Sequence, residues 1–313
     1  MTVSSFSKLF LISCVARNSI AQAFTSLQHH HQIMRHSRPS SSAVAATTTS
    51  SPHDDTNVFR ILCLHGKGGN GEEFLKRLLP LRTLLDNSLA NENKRKSDVS
   101  NISIKWEALT APYKISDTDD AYAWWTMAPG VRSFNADEYI GFDESASNVM
   151  SAVLPISSDS STTTTTTTPT EYNYDLILGH SQGAILLAAL LATNIDLQRS
   201  NCSYILNGAA WPNPYKKALK SISEQTDHVL TEETKMLFVM GKNDTINPIE
   251  SAKQVHDCYQ TAGLDVSLTY HEGGHSVPNG RDLDSERALE EICNFILQAA
   301  SEKSKRIVAR DGI

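Results

Sequence analysis

Five residues, Gly179-His180-Ser181-Gln182-Gly183, constrain the fold of this 313-residue chain more than any others. They follow the apolar run Tyr174–Leu178 and precede Ala184-Ile185-Leu186-Leu187-Ala188-Ala189-Leu190, so the local order is strand, tight turn, helix. A G-x-S-x-G turn in that setting is a nucleophile elbow, which lifts a serine hydroxyl off the end of a sheet. Its glycines are needed because the serine backbone is strained and a nearby Cβ would strike the adjoining strand or helix.

The rest of the chain repeats the same alternation. Val58–Leu64 reads as a strand, almost wholly apolar as expected where both faces of a sheet are covered. Gly71–Leu89 has helical periodicity with a break at Pro80, Asn91–Asp98 is a charged loop, and Ile102–Leu109 is a second strand. An aromatic-rich irregular stretch spans Ala111–Phe142, and Glu144–Leu154 is helical. Ser157–Thr170, with seven consecutive threonines, is a low-complexity loop inside the domain. Strands follow at Tyr174–Leu178, Ser203–Leu206, Met236–Met240 and Val266–Tyr270. Helices are expected at Ala184–Thr193, Pro248–Ala262 and Ser285–Ala300. Such alternation predicts an α/β fold, a mostly parallel sheet with helices on both faces, over one domain at 56–303.

Sites in such sheets lie at the carboxyl ends of the strands. Four predicted strand ends carry unusual residues: His65-Gly66, Ser181, Asn243-Asp244 and Gly273-Gly274-His275. A serine hydroxyl becomes a nucleophile only when a base takes its proton and a third group fixes that base in one tautomer. Ser181, Asp244 and His275 occur in the chain order nucleophile, acid, base. Asp244 also reads as a helix cap before Pro248, and His271 competes with His275 but lacks glycines before it. The oxyanion formed on attack needs two backbone donors, expected from the amides of Gln182 and Lys67.

Two other patterns overlap these residues. Gly66-Lys67-Gly68-Gly69-Asn70-Gly71 matches the dinucleotide fingerprint G-x-G-x-x-G, yet no acid ends a second strand about 20 residues on. His271-Glu272-Gly273-Gly274-His275 matches H-E-x-x-H, which binds zinc only on a helix. Here it follows a strand and holds two glycines, each costing about 1 kcal/mol in a helix. Neither a nucleotide cofactor nor a metal is expected.

Composition excludes further classes. Residues 1–53 carry Lys8, Arg17, Arg35 and Arg38 and no acid, so the remaining 24 basic and 35 acidic residues carry −11. An acidic body excludes a nucleic-acid partner and a basic membrane-docking face. Five cysteines without C-x-x-C spacing exclude a disulfide framework, and Cys63 and Cys202 read as core residues. Lys8, the apolar run Leu9–Ala16, the Ala21-Gln22-Ala23 junction and the basic Ser-rich stretch after it read as a targeting segment of the plastid type. The apolar run is too short to span a bilayer.

With Ile61-Leu62-Cys63-Leu64-His65-Gly66, Asn70-Gly71, Ala111-Pro112, Trp124-Trp125, Gly179 to Ala184, Gly241-Lys242-Asn243-Asp244 and Gly273-Gly274-His275 assembled, the chain resembles the FSH family of serine hydrolases. That family is a branch of the α/β-hydrolases related to ovarian-tumour-suppressor-candidate esterases. The resemblance implies an α/β-hydrolase fold, Ser181 as nucleophile, Asp244 as acid, His275 as base, and metal-free hydrolysis of carboxylic esters. His180 departs from it, standing where the family usually has Phe, and Lys67-Gly68-Gly69 replaces a bulkier loop.

His65, Trp124, Trp125 and Met127 are candidate walls of an apolar acyl pocket for short to medium chains, with Phe134, Tyr139 and Phe142 nearby. Core packing accounts for the same aromatics equally well. The expected activity is hydrolysis of a small-molecule ester. A thioesterase or depalmitoylase-like hydrolase and a catalytically silent binding protein are the alternatives.

Overall fold

The computed structural model describes residues 57–95, 102–154, 172–198, 200–224 and 234–311. The targeting segment expected at 1–53 and the Ser/Thr loop expected at 157–170 lie outside the described residues. In chain order the first half runs β1 (Val58–Leu64), α1 (Gly71–Arg77), α2 (Leu79–Arg95), β2 (Ser103–Leu109), β3 (Tyr113–Lys114), β4 (Tyr122–Ala123) and α3 (Phe142–Val153). The second half runs β5 (Leu176–His180), α4 (Gln182–Thr193), α5 (Ile195–Gln198), β6 (Ser203–Asn207) and α6 (Lys216–Glu224). It closes with β7 (Lys235–Gly241), α7 (Ile249–Thr261), β8 (Asp265–His271) and α8 (Leu283–Asp311).

Six strands form one sheet in the order β2-β1-β5-β6-β7-β8, and every neighbouring pair is parallel. Alternate side chains leave opposite faces of a strand. Phe59, Ile61 and Cys63 of β1 therefore meet Phe74, Leu78, Leu81 and Leu85 with Ile292 and Ile296 of α8. Leu62 and Leu64 enter a second core with Trp124, Val149, Ile185 and Leu186. Full burial of each such side chain is worth about 1.5–3 kcal/mol. The chain leaves β1 through α1 and α2 over one face and leaves β5 through α4 and α5 over the other. Because β1 and β5 are neighbours, their carboxyl ends bound a crevice at this switch of direction.

Most expected strands and helices are present with ends shifted by one or two residues, but the last helix, expected to stop at Ala300, continues to Asp311. The expected loop at Asn91–Asp98 is corrected, since α2 continues through Arg95. Its Glu, Lys and Arg are good helix formers and no breaker interrupts them. The break near Pro80 is real. Leu78 caps α1, and Pro80 takes the second position of α2, where a missing N–H costs no helical bond. The amphipathic α6 was not legible as a helix, although Leu219 and Ile222 bury one side of it. Strand β8 ends in His271, so the H-E-x-x-H residues lie on a strand end and loop and do not share a helical face.

Candidate active site

The elbow is built as its residues require. Ser181 has φ 54°, in the left-handed region, at the cap of α4. A Cβ on Gly183 would lie 2.3 Å from the Leu64 carbonyl oxygen of β1, and one on Gly179 2.7 Å from Ala184. Ser181 is pinned by its own N–H, which donates to the carbonyl of Asn207 at 2.9 Å.

Ser181 Oγ lies 2.6 Å from His275 Nε2, and His275 Nδ1 lies 2.6 Å from Asp244 Oδ2. These three residues come from the ends of β5, β7 and β8, as expected. Asp244 Oδ1 accepts from the backbone N–H of Ile246 and of Asn247, both at 2.8 Å. Oδ1 thus closes the turn ahead of α7 while Oδ2 meets the histidine; the helix-cap reading of Asp244 is corrected, because the cap residue of α7 is Pro248 and no side chain bonds that end. Burial pushes the Asp244 pKa up, but hydrogen bonds from His275 and from these two amides outweigh it and hold the carboxyl below its ordinary 3.8. His271, the competing base, is buried at the end of β8 and makes no hydrogen bond to Ser181 among the described residues.

Neither the Gln182 N–H nor the Lys67 N–H donates to another group among the described residues. The first lies at the amino end of the 12-residue α4, where unpaired amides favour negative charge. Gln182 contributes through its side chain as well. Its Oε1 accepts from the Trp124 N–H at 3.0 Å and its Nε2 donates to the Trp125 carbonyl at 3.1 Å.

A cavity of about 170 Å³ opens beside Ser181, lined by residues 65–70 with Glu73, Phe74, Arg77, His180 and His275. Of the four expected pocket walls only His65 lines it. Trp124 and Trp125 are both 0 % exposed and touch no open space. Met127 packs half-buried against the core and is not among the lining residues. The Trp124 indole N–H instead donates to the His65 carbonyl at 2.7 Å, and its own carbonyl accepts from Ser145 Oγ. These aromatics are scaffold. They hold the turn after β1 against the elbow.

His65 does line the cavity, with both ring nitrogens engaged. Nε2 accepts from the Ala111 N–H at 2.9 Å, so Nδ1 carries the proton and donates to the Gly66 carbonyl at 2.7 Å. Burial pulls its pKa below the usual 6.5, so it stays neutral.

His180, the unexplained member of the elbow, packs its ring on Phe74 at 5.9 Å and lies 5.2 Å from the His275 ring. Its Nδ1 accepts from Asn207 Nδ2 at 2.7 Å. Burial, reinforced by the neighbouring His275, pushes its pKa down to about 3, so it cannot compete as a cation. Sequence reasoning missed Asn207 and also Asn247, whose Nδ2 donates to the Gly208 carbonyl at 2.7 Å. A polar residue closing the apolar strand Tyr204-Ile205-Leu206, directly before Gly208, was the available signal for Asn207.

The chain matches the family model described as "Serine hydrolase (FSH1)" over residues 56–286. It is 27% identical over 230 residues to a Danio rerio protein named Esterase OVCA2, covering 70% of this chain and 90% of that one. It is 27% identical over 232 residues to Hydrolase phiM of Fungal sp. (strain ATCC 74256), covering 70% and 87%. Among solved structures it is similar to esterase PE8, at 15% identity and TM-score 0.47, covering 77% of this chain and 92% of the other. The family match spans the elbow, the strand ends that bear Asp244 and His275, and the turn after β1, so the chain belongs to the FSH1 family of serine hydrolases, with the α/β-hydrolase fold.

Proposed function

We propose that this enzyme hydrolyses carboxylic esters by passing the acyl group to Ser181 Oγ and then to water. One observation carries the reading: an unbroken run of two 2.6 Å contacts from Asp244 through His275 to Ser181, beside two amide donors with no other acceptor. Asp244, ionised at neutral pH, accepts from His275 Nδ1–H and so keeps Nε2 free to take the serine proton. As Oγ bonds to the carbonyl carbon, the carbonyl oxygen gains charge and is met by the Gln182 and Lys67 amides. Each such donor is worth on the order of 10²–10³ in rate. His275 then gives its proton to the leaving alkoxide, and water repeats the sequence in reverse to free the acid.

The name of the Danio rerio relative supports an ester substrate. The acyl group belongs at the short end of the expected range, because the cavity beside Ser181 is small and its one large apolar wall is Phe74. A thioester would pass through the same acyl-serine with sulfur as the leaving atom.

The test is labelling by a fluorophosphonate probe, with Ser181→Ala as control, followed by hydrolysis of short 4-nitrophenyl esters. We expect labelling of the wild type alone and turnover lost with the serine. Absence of labelling, or equal labelling of both proteins, defeats the assignment.

A further inference from the structure

The cavity beside Ser181 is lined by hydrogen-bond donors whose partners are missing. Lys67 and Arg77 both line it, and among the described residues neither side chain makes an ion pair or a hydrogen bond. The one carboxylate on the lining, Glu73, pairs with Lys76 at 2.9 Å. Lys76 also pairs with Glu72 at 2.9 Å, so it already supplies the cation that the end of α1 favours. Arg77 is left over. Asn70 is spent: its Oδ1 caps α1 through the Glu73 N–H at 2.9 Å, and its Nδ2 donates to the Asp120 carbonyl at 3.0 Å. His65 is spent on both nitrogens.

His180 adds a neutral donor. Because its Nδ1 accepts from Asn207, the proton sits on Nε2, and among the described residues that nitrogen has no partner. The lining therefore presents two cations and an imidazole N–H against one carboxylate, Glu73, which shares Lys76 with Glu72. This is unusual on a body that carries −11 beyond residue 53. A cavity richer in free donors than in acceptors selects a ligand that brings acceptors, and two cations against one shared carboxylate select one that brings negative charge.

We propose that Lys67 and Arg77, with His180 Nε2–H, form an anion subsite beside Ser181, and that the preferred substrates are esters carrying a carboxylate close to the scissile bond. The inference rests on the reading of Ser181 as the nucleophile. It names the chemistry the cavity recognises, a carboxylate within a few atoms of the ester, borne on either the acyl or the alcohol side. Both basic side chains are exposed, so each contributes modestly and is screened by salt.

Matched esters test it on both sides. The acyl-side pair is the 4-nitrophenyl monoester of glutarate against 4-nitrophenyl pentanoate. The alcohol-side pair is 4-acetoxybenzoate against its methyl ester, with enzyme-free rates subtracted in each case. At low salt we expect kcat/KM to favour the anionic member of at least one pair by about 5-fold or more. The ratio should fall toward one at about 0.5 M NaCl. Arg77→Glu should cut it about 10-fold, Arg77→Gln less, and the distant exposed change Lys253→Glu should leave it where it was. Which pair responds tells the side on which the carboxylate sits. Ratios of one or below in both pairs, or a preference indifferent to Arg77→Glu and Arg77→Gln, overturn the subsite. If Arg77→Glu fails to fold, the glutamine variant and the salt series decide. Failure of the wild type to cleave any of the four esters or to take the fluorophosphonate label defeats the nucleophile reading instead.

Discussion

Trp124 and Trp125 are adjacent and equally buried, yet replacing each by Phe should have very different consequences. Both are 0 % exposed, so both changes remove a similar volume from the core and incur a similar cavity cost. The polar atoms differ. The Trp124 indole N–H donates to the His65 carbonyl at 2.7 Å, and Trp124→Phe leaves that buried carbonyl unpaired. The penalty for a stranded acceptor is about 1–3 kcal/mol. The Trp125 indole N–H has no partner among the described residues, so Trp125→Phe removes a buried donor that was already unpaired. That relieves a penalty of the same order. Trp125 keeps its ring contact with Tyr139, 4.3 Å away and nearly parallel, which Phe can largely reproduce.

The two variants should therefore differ by about 2–4 kcal/mol, with Trp124→Phe the less stable. Urea unfolding followed by circular dichroism measures the gap, provided the two m-values agree. At about 2–4 °C per kcal/mol, the Tm values should separate by roughly 4–16 °C. Trp124→Phe should also lower kcat, since His65 precedes the Gly66-Lys67 turn that carries a proposed oxyanion donor. Neither variant should alter selectivity among acyl chains, because neither ring reaches the cavity. Equal destabilisation, or a larger loss in Trp125→Phe, refutes the hydrogen-bond reasoning. A shift in acyl selectivity would restore the pocket-wall role expected from the sequence.

Asp244→Asn should reduce kcat by about 10³–10⁴-fold while the chain still folds, because an amide cannot hold His275 in the tautomer that accepts the serine proton. The same pair of proteins reports a pH effect. The Asp244 pKa is lower folded than its ordinary 3.8, so its ionised form contributes stability above that value, and the contribution disappears as pH falls through the lowered native value. The stability gap between wild type and Asp244→Asn should be constant above about pH 5 and shrink below pH 4; a gap that widens on acidification contradicts the sign. Gly66→Ala should cut kcat at least about 10-fold with a smaller stability loss, since its Cβ would come 2.9 Å from Ser181 Cβ and 3.1 Å from His180 Cδ2. Unchanged turnover would mean that the turn after β1 yields without displacing the nucleophile.

What was legible in the sequence followed from short-range backbone rules. The elbow could be recognised because G-x-S-x-G between a strand and a helix has few conformations, and Asp244 and His275 because strand ends of a parallel sheet share one edge. Long-range pairings were not legible. His180 makes sense only through Asn207, which is 27 residues away and becomes its neighbour when β5 and β6 pair. The role of the tryptophans stayed open because an aromatic cluster has the same composition whether it walls a pocket or fills a core. The deciding cue was polar. Gln182 is a buried amide that must find partners, and the backbones of Trp124 and Trp125 supply them, which draws both rings inward behind the elbow. The cavity's charge was hidden for a similar reason. Lys67 and Arg77 are separated by a glycine turn, a cap and one short helix, and only the folding of that helix back over β1 brings both to Ser181. Patterning thus located the reacting atoms, whereas the groups that choose a substrate come together only through tertiary packing.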